Sequence, residues 1–252
     1  MPPITDTAYV LRHWPFSETS QTVAVFGKTH GVLRGLAKGA RREKGAFSGG
    51  FEVLDRGQIV AIIKPNDSLA ILTEWDLTRR PRSIYQSLPA HHTALYIADL
   101  VRHTLTESDP HPALWDAMDD AMTSLDAGSD PMLVALRFQW AALDETGHRP
   151  DLREPVGAET GSPALGFDPA AGRLVPDPGP DHSGTELWRI RVTTLDLLRA
   201  IDRTVDRADA GGQIEPPKDE ETLNRANLFL ASCLRWVLGR ELPTMTALFD
   251  QG

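Results

Sequence analysis

The hydrophobic period of this chain changes once, near residue 80, and that change limits what each part can fold into. Before it, apolar residues come in short runs rich in Val, Ile and Leu, cut by Gly, Asn and Pro; after it they recur at helical spacing. Residues 7–12, 21–26, 32–37, 51–54, 58–64 and 69–75 read as strand segments, with turns at 27–31 and 55–57. About five short antiparallel strands in so small a unit expose unpaired edges unless the sheet closes on itself. The five-stranded OB-fold is the commonest closed solution. The sequence therefore predicts an α+β multidomain chain, with an N-terminal five-stranded OB-fold β-barrel over residues 1–79 and an α-helical domain over 80–252.

In the helical part, residues 83–105 set Ile84, Leu88, Leu95, Ile97, Leu100 and Val101 mostly on one side. A second helix follows Pro112 through Trp115, Met118, Met122 and Leu125. Asp130 before Pro131 is a capping residue before a first-turn proline, and opens a third helix through Phe138 and Leu143. Residues 194–203 form another helix. The last begins in the acidic stretch 219–221 and ends at Gly239. Residues 150–185 are crowded with Pro and Gly and hold one hairpin, 165–167 with 173–175 around a turn at 168–172.

Charge is unevenly divided. The net charge is −9, yet residues 1–75 carry nine Lys/Arg against seven Asp/Glu, leaving the excess acid to the remainder. A polyanion is expected to meet the first part, and proteins the second. Between Lys28 and Lys44 six cations face one acid. Arg34, Lys38, Arg41, Arg42 and Lys44 are the candidate DNA-binding residues, because paired phosphates exchange condensed counterions for such a cluster. Trp14 and Phe16, flanking Pro15, are candidate stacking partners for bases.

A single cysteine, Cys233, excludes an internal disulfide framework and a cysteine-rich metal site. The adjacent His91 and His92 face different sides of a helix, and no motif pairs a nucleophile with a base or cradles a phosphate. No enzyme activity, no cofactor and no metal are expected. No apolar run approaches the roughly 20 residues of a membrane span. The start of the chain has no signal-peptide pattern, so a cytoplasmic place is expected.

The chain resembles the bacterial RecO family. The resemblance is carried by Ala8 to Leu11, Glu18-Thr19-Ser20, Val23 to Phe26, and above all Leu36-Ala37-Lys38-Gly39-Ala40-Arg41-Arg42, with Phe51-Glu52-Val53-Leu54 after it. It continues in Ala94 to Leu100, Pro112-Ala113-Leu114-Trp115, Gly147-His148-Arg149-Pro150-Asp151-Leu152 and Val237 to Leu242. One departure matters. Many members follow the Pro-x-Leu with two Cys-x-x-Cys pairs that hold a structural zinc; here those positions are Pro155, Ala158, Pro176 and Gly179. Residues 150–185 are thus expected to be a degenerate, zinc-less knuckle-like insertion.

The resemblance implies a recombination mediator in DNA repair. Such a protein binds single- and double-stranded DNA and promotes strand annealing. With RecR it helps load RecA on DNA covered by single-stranded-DNA-binding protein, whose C-terminal tail it contacts. That tail is expected on the helical part, near cations such as Arg102 and Arg137. A nucleoid-associated location goes with the role. Two alternatives stand beside it: an OB-fold protein-interaction adaptor with weak or no DNA binding, and an RNA-binding OB protein.

Overall fold

The computed structural model describes residues 2–42, 46–48, 50–64, 69–158, 161–180, 187–205 and 219–249. They fall into two units, residues 1–129 and 130–252.

The first unit is a closed five-stranded barrel with three helices. Strands β1 (Ile4–Pro15), β2 (Gln21–Gly27) and β3 (Gly31–Ala37) form an antiparallel meander; β5 (Arg56–Ile62) pairs with β1 on its other side, and β6 (Ala70–Arg79) pairs with β5. The barrel closes where β3 and β6 run parallel, with Gly35 opposite Ala70 and Ala37 opposite Leu72. Only a glycine fits at position 35, since a Cβ there would stand 2.5 Å from the Leu72 side chain. Alternate residues point inward, so Ala8, Val10, Val23, Val25, Leu33, Ile59, Ala61, Leu72 and Trp75 fill the interior.

Residues 51–54, expected as a strand, are not one. They form an ordered turn: Leu54 has φ 73°, its N–H donates to the Val10 carbonyl at 2.8 Å, and the Val10 N–H donates to the Asp55 carbonyl at 2.9 Å. Phe51 is nonetheless core, its ring 5.0 Å from that of Trp75. A two-residue strand β4 (Phe47–Ser48) precedes the turn and pairs in parallel with β6.

Helix α1 (Arg82–Gln86) and helix α2 (Leu88–Thr104) replace the single expected helix over 83–105. Pro89 has no N–H, and its ring would collide with the carbonyl of residue 85 in a continuous helix. The chain restarts at Ser87, whose hydroxyl accepts from the Ala90 N–H. Helix α3 (Pro112–Asp126) follows. The segment before α3 is stitched to β3: Ser108 N–H donates to the Val32 carbonyl at 2.9 Å, and Glu107 bridges Val32.

The second unit joins helices to a small sheet. Asp130 caps α4 (Pro131–Glu145), accepting from the Met132 N–H at 2.8 Å. Asp219 caps α6 (Glu220–Leu238), which ends at Gly239 with φ 64°. Asn227 on α6 is fully buried; its Oδ1 accepts from Gln139 Nε2 of α4 at 2.7 Å, and its Nδ2 donates to the carbonyls of Met132 and Leu223. Cys233 is buried on the same helix, and burial pushes its thiol pKa far up. The expected hairpin is present as β7 (Ala164–Asp168) and β8 (Arg173–Val175). A third strand, β9 (Trp188–Arg191), pairs with β7 and leads into α5 (Val192–Val205), and a short α7 (Pro243–Phe249) closes the described chain.

Of the four positions aligned with zinc ligands, Pro155 and Ala158 are joined by a turn hydrogen bond, Ala158 N–H to Pro155 carbonyl, at 3.3 Å. Between Pro176 and Gly179, Asp177 accepts from the Gly179 N–H at 3.0 Å and from Arg189 of β9 at 2.8 and 2.9 Å. Turn bonds and an ion pair stand where the resemblance sets thiolates. Among the described residues no group of three His, Cys, Asp or Glu is placed to hold a metal ion, and no helix is long and apolar enough to cross a membrane.

Candidate nucleic-acid interface

The basic segment begins on β3 and turns at its end. Lys38, Gly39, Ala40 and Arg41 form the turn, and a φ of 75° at Gly39 makes it possible. Two bonds pin this turn to the β1–β2 loop: Gly39 N–H donates to Ser20 Oγ at 3.2 Å, and Arg41 N–H to the Thr19 carbonyl at 3.1 Å. A third, Arg42 N–H to the Gly39 carbonyl at 3.0 Å, folds Arg42 back over the turn. Ala40 sinks into the barrel core as an anchor, while Lys38, Arg41 and Arg42 stay exposed. No carboxylate among the described residues pairs with these three side chains. Lys44 lies outside the described residues.

The pinned β1–β2 loop carries Phe16, 62% exposed at its tip. Its N–H donates to the Ser20 carbonyl at 3.0 Å, so the ring is held out by a tight loop. Residues opposite one another on neighbouring strands share a face. Trp14, Thr22, Leu36 and Ile71 are such a row, each half-buried, crossing β1, β2, β3 and β6 on the outside of the barrel. Arg12 lies 5.6 Å above the Trp14 ring. This is an open, partly apolar face ending in the three cations of the turn.

The other half of the same outer face is covered. Tyr9, Phe26 and Val32 form the equivalent row and are buried; Trp115 of α3 packs on the Tyr9 ring and its Nε1 donates to the Phe26 carbonyl at 3.1 Å, while the Glu107 segment bridges Val32. The cations around it have carboxylate partners. Lys28 Nζ meets Asp116 at 2.6 Å, Arg56 meets Asp119 at 3.4 Å, and Arg79 meets Asp126 at 3.6 Å. Arg34, named from sequence as a site residue, meets Glu107 at 3.5 Å. Tyr9 donates to Asp119 at 2.6 Å; burial first, then this bond, raises the phenol well above its ordinary pKa. Asp120 is also raised, by burial and by the charges of Asp119 and Asp116.

The structure thus brings Lys38, Arg41 and Arg42 together beside Trp14 and Phe16, and sets Arg34 at the edge of that group. Sequence reading missed Arg12 as the cation over Trp14, and missed the carboxylates. Lys28 and Asp116 are 88 positions apart and Arg34 and Glu107 are 73, so no local pattern signals either pair. Of the helix cations named for the partner tail, Arg102 is held by Asp99 at 2.8 Å on the same helix, and Arg137 is exposed on α4.

Comparison with known proteins covers nearly all of the chain. The family model described as "Recombination protein O N terminal" matches residues 1–81, and that described as "Recombination protein O C terminal" matches residues 87–246. The DNA repair protein RecO of Rhodopirellula baltica is 33% identical, over 94% of this chain and 93% of that one. The protein of the same name from Myxococcus xanthus is 29% identical over 98% and 97%, and that from Dehalococcoides mccartyi 23% over 93% and 90%.

Proposed function

This chain belongs to the recombination protein O family, whose role is in DNA repair and recombination, and from that premise we propose that it is a recombination mediator acting by binding rather than catalysis. It binds single- and double-stranded DNA through the barrel of residues 1–79, promotes annealing of complementary strands, and with RecR helps load RecA on DNA covered by single-stranded-DNA-binding protein. The phosphate-contacting residues are Lys38, Arg41, Arg42 and Lys44, with Arg34, held to Glu107, at their margin. The observation that carries this reading is the pinned turn: three cations without carboxylate partners among the described residues, fixed beside an exposed aromatic loop. Cations with mobile counterions gain affinity by releasing them, and aromatic rings stack unpaired bases without regard to sequence.

The C-terminal tail of single-stranded-DNA-binding protein docks on the helical part. Support for this lies in a groove beside α6 lined by Trp188, Arg235, Trp236, Arg240 and Glu241, where two indole rings stand beside two cations and Glu241 meets Arg235 at 3.4 Å. The aromatic end of that tail is complementary to the two rings.

Fluorescence-anisotropy binding of a labelled oligonucleotide across a salt series tests the DNA site. Replacing Lys38, Arg41, Arg42 and Lys44 together by Ala is expected to remove about three to four units from the slope of log affinity against log salt. An unchanged slope in a folded variant would favour the second reading, an interaction adaptor with little DNA affinity. That reading draws on the net charge of −9 and on the carboxylates that hold Lys28, Arg34, Arg56 and Arg79.

A further inference from the structure

Four cations of the first unit face four carboxylates that arise from one short stretch of chain. Glu107 meets Arg34, Asp116 meets Lys28, Asp119 meets Arg56 and Asp126 meets Arg79. Asp116, Asp119 and Asp126 are spaced to lie along one side of α3, and Trp115 on that helix has Lys28 and Arg56 over its ring at 5.1 and 5.2 Å. Helix α3 is therefore fixed on the barrel by apolar packing and holds its acids against the cations. The Glu107 segment is fixed as well, by the Val32 bridge and by Gly31, where a Cβ would come within 2.0 Å of the Asp109 carbonyl oxygen.

Resting on the DNA-binding reading above, we propose that Glu107 and Asp116 are specificity-determining residues that limit how far a nucleic-acid strand runs across the barrel. The physical reason is the origin of polyelectrolyte affinity. A cation gains by replacing mobile ions around a phosphate chain. Lys28 and Arg34 already have a counterion that is covalently part of the same fold and cannot diffuse away. A phosphate reaching either one must displace a carboxylate that stays nearby and repels it. The strand is confined to the open half of the outer face, from the Trp14 row to the turn of Lys38, Arg41 and Arg42. The acids of α3 mark the far boundary of the footprint. Of the four pairs, Arg34–Glu107 and Lys28–Asp116 are about half-exposed; Arg34 lies between the open and the covered row and Lys28 just past the covered row, at the β2–β3 turn, while the other two pairs lie deeper.

The test is a double-mutant cycle read in salt slopes. Asp116→Asn in the full-length protein is expected to raise the slope for a labelled duplex by up to about 0.9 unit, one phosphate's worth. In a Lys28→Ala background the same Asp116→Asn change is expected to leave the slope alone. A general loss of negative charge would raise affinity equally in both backgrounds, and that result would overturn the proposal. Glu107→Gln, expected to act alike through Arg34, is the second variant should Asp116→Asn not fold. No gain from either folded variant would also overturn it. The turn is read separately. If its quadruple alanine variant loses slope while Asp116→Asn gains none, only the boundary falls. If Asp116→Asn gains while the quadruple variant is unchanged, only the turn site falls.

Discussion

Asn227 shows how one polar residue can hold two helices in register. Its amide is fully buried between α6 and α4 and satisfies the Gln139 side chain and the Met132 carbonyl at once. Asn227→Ala removes the acceptor of the Gln139 amide and one donor to the Met132 carbonyl, and is expected to cost about 1–3 kcal/mol in urea unfolding. A loss under about 0.5 kcal/mol would mean that water replaces the amide. Neither Asn227 nor Gln139 stood out in the sequence, because a polar residue in an amphipathic pattern is read as surface. Charge had the same weakness in the other direction. The run from Lys28 to Lys44 counts six cations, yet folding brings Asp116 to Lys28 and Glu107 to Arg34 from the far side of the first unit. Which charges cancel is decided by tertiary contacts, and those leave no local mark.

At the scale of elements, strong periodicity was legible and irregular backbone was not. The β1–β2–β3 meander and the caps at Asp130, Asp219 and Gly239 follow from pattern and capping chemistry. Residues 51–54 look like a strand because Phe51 and Leu54 are core residues, but here a turn buries them. Strand β9 is four residues long, too short to signal itself. It supplies Arg189, whose hydrogen bonds hold the Asp177 carboxyl below its ordinary pKa. An acid with a depressed folded-state pKa stabilises fully above its unfolded value, near 3.9, and loses that contribution as pH falls through the folded one. Asp177→Asn is expected to lower the melting temperature by about 2–4 °C at pH 7. The gap to wild type should narrow once the pH drops below about 4. A gap that persists unchanged to pH 2 would exclude the ion pair as its source.

For the whole molecule, the barrel closure and the change to helices near residue 80 were both readable, since a period and an edge problem are properties of long stretches. The extension of the first unit to Ser129 was not, because it depends on how α1, α2 and α3 pack. The altered knuckle gives a prediction at this scale. Protein purified without added metal is expected to contain less than about 0.1 zinc per chain by elemental analysis, and a chelator should not shift its melting temperature. Stoichiometric zinc would point to histidines such as His148 or His182, the latter outside the described residues. Cys233 carries a last consequence. Peroxide and electrophiles attack the thiolate, and burial raises the pKa of this sole sulfhydryl and so disfavours that form. With proline, alanine and glycine in place of cysteinates, the chain's one sulfhydryl is a poor target, and oxidants are expected to act on it slowly.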